Sequence, residues 1–290
     1  DGVILSAGFA QDNVFGSGKS VSIDVNTSKS QRTYAFSLTE PYITPEGISR
    51  NWDVYDRRVD LDELDVADVA YETIGGGISF GVPVTESDRV FLGTRWEMTK
   101  VDLRSASPQR YKTFVDEYGE DPQSLLLTMG WSRDSRDNVL APTRGRYQRL
   151  SGEVSVPGLD TQYYRATYQI TQYLPITNSW TLGLNAQVGY GDTYGNDKIF
   201  PFFKNFYAGG IGSVRGYESS SLGPKDVNGD NLGGTEQLVF SAELLTPLPG
   251  ADRTLRGLLF LDGGNVWGYS AQNGQSSHMD FNDLRYSWGV

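Results

Sequence analysis

The sequence contains no cysteine, which excludes disulfides, thiolate metal sites and thiol nucleophiles while leaving the redox compartment open. Histidine is almost absent too. The single one, His278, sits in a stretch rich in Ser, Gln and Asn. No Gly-x-Ser-x-Gly elbow and no Walker-type loop occurs, so neither a hydrolase nor an NTPase is supported. The chain is therefore expected not to be an enzyme and to carry no cofactor. No apolar run approaches the ~18 residues that a membrane-crossing helix needs, which excludes a helical membrane protein but not a membrane β-barrel. Positive charge is scarce: 25 Lys and Arg stand against 36 Asp and Glu, a net charge of −11. The basic residues are scattered, so no nucleic-acid partner is expected. No leader is visible either. Asp1-Gly2 opens directly into a strand pattern, so the numbered chain is expected to be a fragment or a mature segment.

What is present is apolar alternation with period two, running from end to end. At 290 residues, with 34 Gly, 12 Pro and 12% aromatics, the chain is too large and too apolar to be disordered. Val3, Leu5, Ala7 and Phe9 alternate with Gly and Ser, and Val21, Ile23 and Val25 alternate with polar residues. Asp12-Asn13 and Gly16-Ser17-Gly18 supply the turn between them. The same reading predicts strands over 33–39, 49–55, 71–82, 89–99, 124–131, 146–156, 162–174, 180–190, 237–245 and 253–267, with a last one from Leu284. That makes about thirteen strands, and one helix candidate at Gln109 to Tyr118.

The connections alternate in length. Short links at 41–47, 83–88 and 175–179 alternate with long polar ones at 58–68, 101–121 and 192–234. Short turns at one end and long loops at the other mark an up-and-down outer-membrane barrel, whereas a sandwich would not sort its loops this way. The strand from Trp180 to Tyr190 carries Leu182, Leu184, Ala186 and Val188 on one face, with an aromatic at each end. The other face holds Thr181, Gly183, Asn185, Gln187 and Gly189. An aliphatic strip between aromatic ends matches a lipid-facing surface, and so many strands enclose too wide a lumen for apolar side chains to fill. The fold class expected is all-β, a transmembrane antiparallel up-and-down β-barrel in contact with the lipid bilayer.

The connection at 192–234 is the one place where a long loop looks built for a task. Strand-to-strand links usually take two to five residues, and this one takes about forty. It carries Pro201, a run of aromatics from Tyr194 to Tyr217, and an Arg framed by small residues in Val214-Arg215-Gly216-Tyr217. An Arg brought into a medium of lower dielectric than water needs a carboxylate partner. Two are in reach. Glu243 is the only charge in the middle of its strand, and Asp262 interrupts an apolar run. Their parities, shared with Ser241 and Arg256, suit inward positions on adjacent strands. Bidentate pairing would explain why Lys could not serve equally. The alternative is that Glu243 and Asp262 face water and Arg215 is a solvated loop residue.

With Asn205-Phe206-Tyr207-Ala208-Gly209-Gly210 before the motif and Ser221-Leu222-Gly223-Pro224 after it, the segment resembles the sixth extracellular loop of the BamA-like outer-membrane-protein assembly factors, in the barrel insertase superfamily. The resemblance extends over the whole chain, including Phe9-Ala10-Gln11-Asp12-Asn13, Tyr190-Gly191-Asp192 and Phe260-Leu261-Asp262-Gly263-Gly264-Asn265-Val266-Trp267. It implies one transmembrane barrel domain over 1–290, with 192–234 an extracellular loop folded into the lumen and pinned there by Arg215 against the acidic residues. About thirteen of an expected sixteen strands are present, without the first, the last two and the periplasmic POTRA repeats. The implied function is folding and insertion of β-barrel proteins into the bacterial outer membrane, by bilayer thinning and edge templating. The implied partners are unfolded outer-membrane proteins and assembly-complex lipoproteins. A two-partner secretion or translocation-assembly transporter of the same superfamily is one alternative, and a passive porin is another.

Two acidic stretches compete for attention. Asp226-Val227-Asn228-Gly229-Asp230 resembles a calcium loop, but the twelfth position, where a bidentate Glu should close it, is Gln237. A solvated turn rich in Asp and Asn is the simpler reading, and no metal is expected. Asp60, Asp62, Glu63, Asp65 and Asp68 are expected to form an exposed outer loop.

Overall fold

The computed structural model describes residues 4–248, 255–269 and 277–290. Strands β1 (Leu5–Gln11), β2 (Ser20–Thr27), β3 (Gln31–Glu40), β4 (Ser49–Asp60), β5 (Val69–Pro83) and β6 (Asp88–Leu103) come first. Helix α1 (Gln109–Tyr118) follows, then β7 (Gln123–Asp134), β8 (Gly145–Ser155), β9 (Tyr163–Pro175) and β10 (Thr181–Thr193). After the long connection come β11 (Glu236–Pro247), β12 (Arg256–Trp267) and β13 (Arg285–Gly289). All thirteen strands belong to one sheet in sequence order, β1 to β13. This is the antiparallel meander that the alternation and loop lengths predict. Val3 and Arg253, which the sequence reading assigns to the first and twelfth strands, lie outside the described residues.

Strands run further than alternation alone suggests. β4 continues through Arg57, Arg58, Val59 and Asp60, so the connection expected from Arg58 begins at Leu61. These charges stay in the ladder because their neighbours answer them: Arg58 faces Glu72 of β5 in register and pairs with Asp102 of β6 at 3.1 Å. β6 likewise extends to Leu103. Helix α1 covers the predicted span, and Tyr111 and Phe114, three residues apart on one face, are buried.

The exposed face is the apolar one. In β10, Leu184, Val188 and Tyr190 are exposed while Gly183 and Gly189 are buried. In β6, Phe91, Leu92 and Trp96 are exposed whereas Glu97 and Thr99 are buried, with Val101 a buried apolar exception near the strand's end. A sheet with exposed apolar strips and polar groups on its covered face has the polarity of a lipid-facing strand set.

The chain forms two compact units. The first takes Asp1–Gly130, Gly152–Tyr164 and Asp192–Lys204. Its core includes Val59, Leu61, Val66, Val69, Tyr111, Phe114 and Phe202. The second takes Trp131–Ser151, Arg165–Gly191 and Asn205–Val290. Its core gathers Phe206, Ala208, Val214, Leu222, Val239 and Val266, with Tyr217 packed against them.

Candidate functional site

The Arg215 site lies within the second unit, where β11 and β12 are in register. Ser241 stands opposite Asp262, and Glu243 opposite Phe260, so all four side chains share one face of two neighbouring strands. The loop delivers Arg215 onto that face. Val214 is fully buried in the apolar cluster, and Gly216 turns the chain at φ +85°, a left-handed conformation that costs a residue with a Cβ. Tyr217 then donates its hydroxyl to the Tyr286 carbonyl at 3.3 Å. The loop is tied down on both sides of the motif. Phe206 and Gly234 exchange backbone hydrogen bonds at 2.7 and 2.9 Å, and Leu222 N–H donates to Ala208 O at 3.0 Å. Gln237 Nε2 donates to Tyr207 O at 2.7 Å.

The guanidinium is held through its Nε and Nη2. Nε donates to Asp262 Oδ2 and Nη2 to Asp262 Oδ1, each at 2.7 Å, a bidentate fork. Nη2 also donates to Ser241 Oγ at 3.0 Å and pairs with Glu243 Oε1 at 2.8 Å. The Arg215 backbone N–H adds a third contact to Asp262 Oδ2 at 3.1 Å, and Ser241 Oγ donates to Asp262 Oδ1 at 2.7 Å. Phe260 lies beneath the cation, 3.7 Å from guanidinium carbon to ring centroid. The Asp262 hydrogen bonds, ahead of the opposing cost of burial and the charges of Asp262 and Glu243, hold the Arg215 pKa above its ordinary value. Asp262 has no exposed surface, so its charge is tolerated only because Arg215 and Ser241 answer it. Arg256, which shares its parity, instead donates to the carbonyls of Pro142 and Ala141 at 2.8 and 2.9 Å.

The calcium-like stretch closes on itself. Asp226 Oδ1 accepts the backbone N–H groups of Asn228 at 2.8 Å and Asp230 at 2.9 Å, the arrangement of an Asx turn. Asn228 Nδ2 also reaches Asp226 Oδ2 at 3.5 Å. The acidic run has a cation of its own. Arg104 pairs with Asp60 at 2.6 Å, Asp62 at 2.9 Å and Asp68 at 3.5 Å. Asp62, Glu63 and Asp65 are exposed as expected, Asp60 and Asp68 are half-buried, and Leu61, Val66 and Ala67 between them are buried. His278 approaches Glu236 Oε1 at 3.3 Å and is otherwise exposed.

The first unit holds a second charged cluster, which the sequence reading did not single out. Lys204 ends a short 3-10 turn at Phe202–Lys204, and its Nζ reaches Glu97 Oε2 at 2.7 Å and Glu153 Oε1 at 3.6 Å. Its ammonium lies 5.8 Å from the Tyr163 ring centroid. Tyr55 Oη donates to Glu97 Oε1 at 2.6 Å. That contact skips a strand. Tyr55 on β4 and Glu97 on β6 both pair with Gly75 of β5, where an added Cβ would come within 2.7 Å of the Tyr55 ring. Burial disfavours the Lys204 charge, but Glu153 and Glu97 outweigh it and push its pKa above the lysine range. The available signal was a lone cation in the aromatic run Phe202-Phe203-Lys204-Asn205-Phe206, together with the Gly75-Gly76-Gly77 break in a strand pattern.

The model of the Omp85 superfamily domain matches residues 13–290. The chain is 40% identical, over 95% of its length, to the outer membrane protein assembly factor BamA of Neisseria meningitidis serogroup B, spanning 37% of that protein. In structure it is similar to BamA from Haemophilus ducreyi lacking POTRA domains 1-3, with a TM-score of 0.88 at 23% identity, over 99% of this chain and 61% of the other. A weaker likeness is to CdiB from Acinetobacter baumannii, at a TM-score of 0.61 and 16% identity over 98% and 48% of the two chains. The chain thus spans less than two thirds of each of these proteins. Its fold is that of the BamA barrel, and its place is the bacterial outer membrane. From a match across nearly the whole chain and a relative of this identity, the chain belongs to the Omp85 superfamily.

Proposed function

We propose that this chain is the barrel segment of an outer-membrane-protein assembly factor, which folds and inserts other β-barrels into the outer membrane. In this reading residues 192–234 form the extracellular loop that turns back into the barrel, and Val214, Arg215, Gly216 and Tyr217 with Glu243 and Asp262 are its latch. The observation that carries it is the bidentate Arg215–Asp262 pair on a fully buried carboxylate, in a chain 40% identical to an assembly factor. A bidentate pair on a carboxylate with no exposed surface suits a fixed structural element rather than a mobile constriction.

Unfolded outer-membrane proteins are the proposed substrates, and the lipoproteins of an assembly complex are the proposed partners. No bond is made or broken in this activity, so it needs no catalytic residue and no cofactor. The driving force is the substrate's own: a barrel in lipid saturates every backbone hydrogen bond and buries its apolar face. The test is Arg215→Ala in the full-length protein, in cells depleted of their own copy. Folded, heat-modifiable substrate barrels should fall sharply. Unchanged assembly and heat stability would overturn the latch, and failure of the unaltered protein to restore assembly would overturn the function.

A further inference from the structure

We propose that Lys204 is a second positioning residue of the same connection, holding residues 192–204 in place through Glu97 and Glu153 independently of the Arg215 latch. The inference rests on the assembly reading for its functional consequence and on geometry for its structural one. Lys204 is mostly buried, as are both its carboxylate partners, so its contacts are not a solvated surface pair. The partners sit on β6 and β8, and Tyr55 extends the network to β4.

The neighbouring contacts show that this half of the connection is ordered around the lysine. Phe202 stacks on Tyr111 of α1 at 4.1 Å, and Phe200 meets Tyr163 edge-on at 5.5 Å. Gln162 N–H donates to Asp197 Oδ2 at 2.5 Å, and Tyr194 Oη donates to the Ser155 carbonyl. Aromatic packing alone leaves the segment able to slide, because a ring stack tolerates offsets. An ammonium between two carboxylates does not, since moving it away strands Glu97 in a buried site. Two anchors of opposite design on one connection, a fork at Arg215 and a point charge at Lys204, mean that losing one should not release the other.

The experiment compares Lys204→Met, Lys204→Arg, Arg215→Ala and the double variant Lys204→Met/Glu97→Gln, each in the full-length protein reconstituted in vesicles. Chymotrypsin reports both halves, because aromatics flank both anchors. In Lys204→Met, cleavage between Tyr194 and Phe203 should rise about a hundredfold, as for a buried pair that loses one partner, while the Ala208–Leu222 stretch stays protected. Arg215→Ala should give the reverse pattern. The assembly rate per correctly folded molecule should fall in Lys204→Met, recover in Lys204→Arg, and recover in part when Glu97→Gln removes the stranded charge. A purely structural lysine would lower the folded fraction and leave that rate unchanged, which overturns the positioning role. Unchanged cleavage in Lys204→Met, or equal exposure of both halves in either single variant, overturns the independent anchor. Should Lys204→Met not fold, Glu153→Gln serves as the milder variant, with the same cleavage pattern expected and an unchanged one overturning the inference. If the unaltered protein assembles no barrels, the functional reading fails while the cleavage pattern still decides the anchor.

Discussion

The Arg215 and Lys204 anchors solve one problem with different chemistry, and the difference follows from the strands each can reach. Arg215 meets Ser241, Glu243 and Asp262 on β11 and β12, where register places the partners side by side. A planar fork fits that arrangement, because two parallel N–H···O bonds to one carboxylate demand a fixed approach. Lys204 meets Glu97 of β6 and Glu153 of β8, which are not neighbours in the strand order, and Tyr55 joins from β4 across Gly75. A compact ammonium with three rotatable donors suits partners converging from separate strands. The lesson is that the choice of cation reports the spacing of its carboxylates.

The strongest way to break this comparison is to remove the partner that one anchor cannot do without. Asp262→Ala leaves Arg215 with Glu243 and Ser241 only, and Arg215→Ala leaves Asp262 buried without a cation. Each is expected to cost roughly 3–5 kcal/mol, measured as a lowered midpoint for the heat-modifiable transition. Exchanging the cations sharpens it. Arg215→Lys forfeits the fork and should cost about 1.5–3 kcal/mol, whereas Lys204→Arg should cost under about half of that by the same measurement. An equal cost for the two exchanges would show that geometry does not set the choice of cation. Next comes Gly75→Ala, which forces a methyl to within 2.7 Å of the Tyr55 ring. Overpacking of this kind costs about 1–3 kcal/mol, and it should loosen residues 192–204 to chymotrypsin while leaving the Arg215 half untouched.

The smallest effect expected is at the β7–β8 turn, remote in chemistry from both anchors. Asp137 accepts the Thr143 hydroxyl and the N–H groups of Thr143 and Arg144. The Thr143 side-chain bond, ahead of the opposing cost of burial and helped by the backbone donors, lowers its pKa to about 2. A depressed carboxylate stabilises the fold fully above its unfolded value, near 3.9, and loses that contribution as pH falls through its folded one. Protection of the Thr143 and Arg144 amides, relative to their intrinsic exchange rate at each pH, should therefore hold down to about pH 4 and fall towards about pH 2. Loss of protection already at about pH 5 would refute the turn's hydrogen-bond geometry.

Alternation made most of the strand order legible, because a period of two is a local property that survives without any knowledge of neighbours. It placed Glu243, Ser241 and Asp262 on the covered face by parity alone. It also placed Arg256 there, yet Arg256 turned to carbonyls at Ala141 and Pro142, since parity names a face and not a partner. Alternation stops short where charged residues continue a ladder, as at Arg57 to Asp60, because polarity resembles a loop even when cross-strand charges supply the pairing. The pairing of Asp60, Asp62 and Asp68 with Arg104 is not legible in the sequence, because that guanidinium lies some forty residues away.

By itself the sequence determined the sheet, its apolar exposed face, and the loop motif with carboxylates of the right parity on two adjacent strands. All of these follow from spacing along one strand or between consecutive ones. Only the tertiary structure decided that Lys204 joins Glu97 and Glu153, and that a glycine on β5 lets Tyr55 pass over it to the same carboxylate. Contacts that skip strands depend on how the covered face brings distant positions together, and no period in the chain encodes that distance.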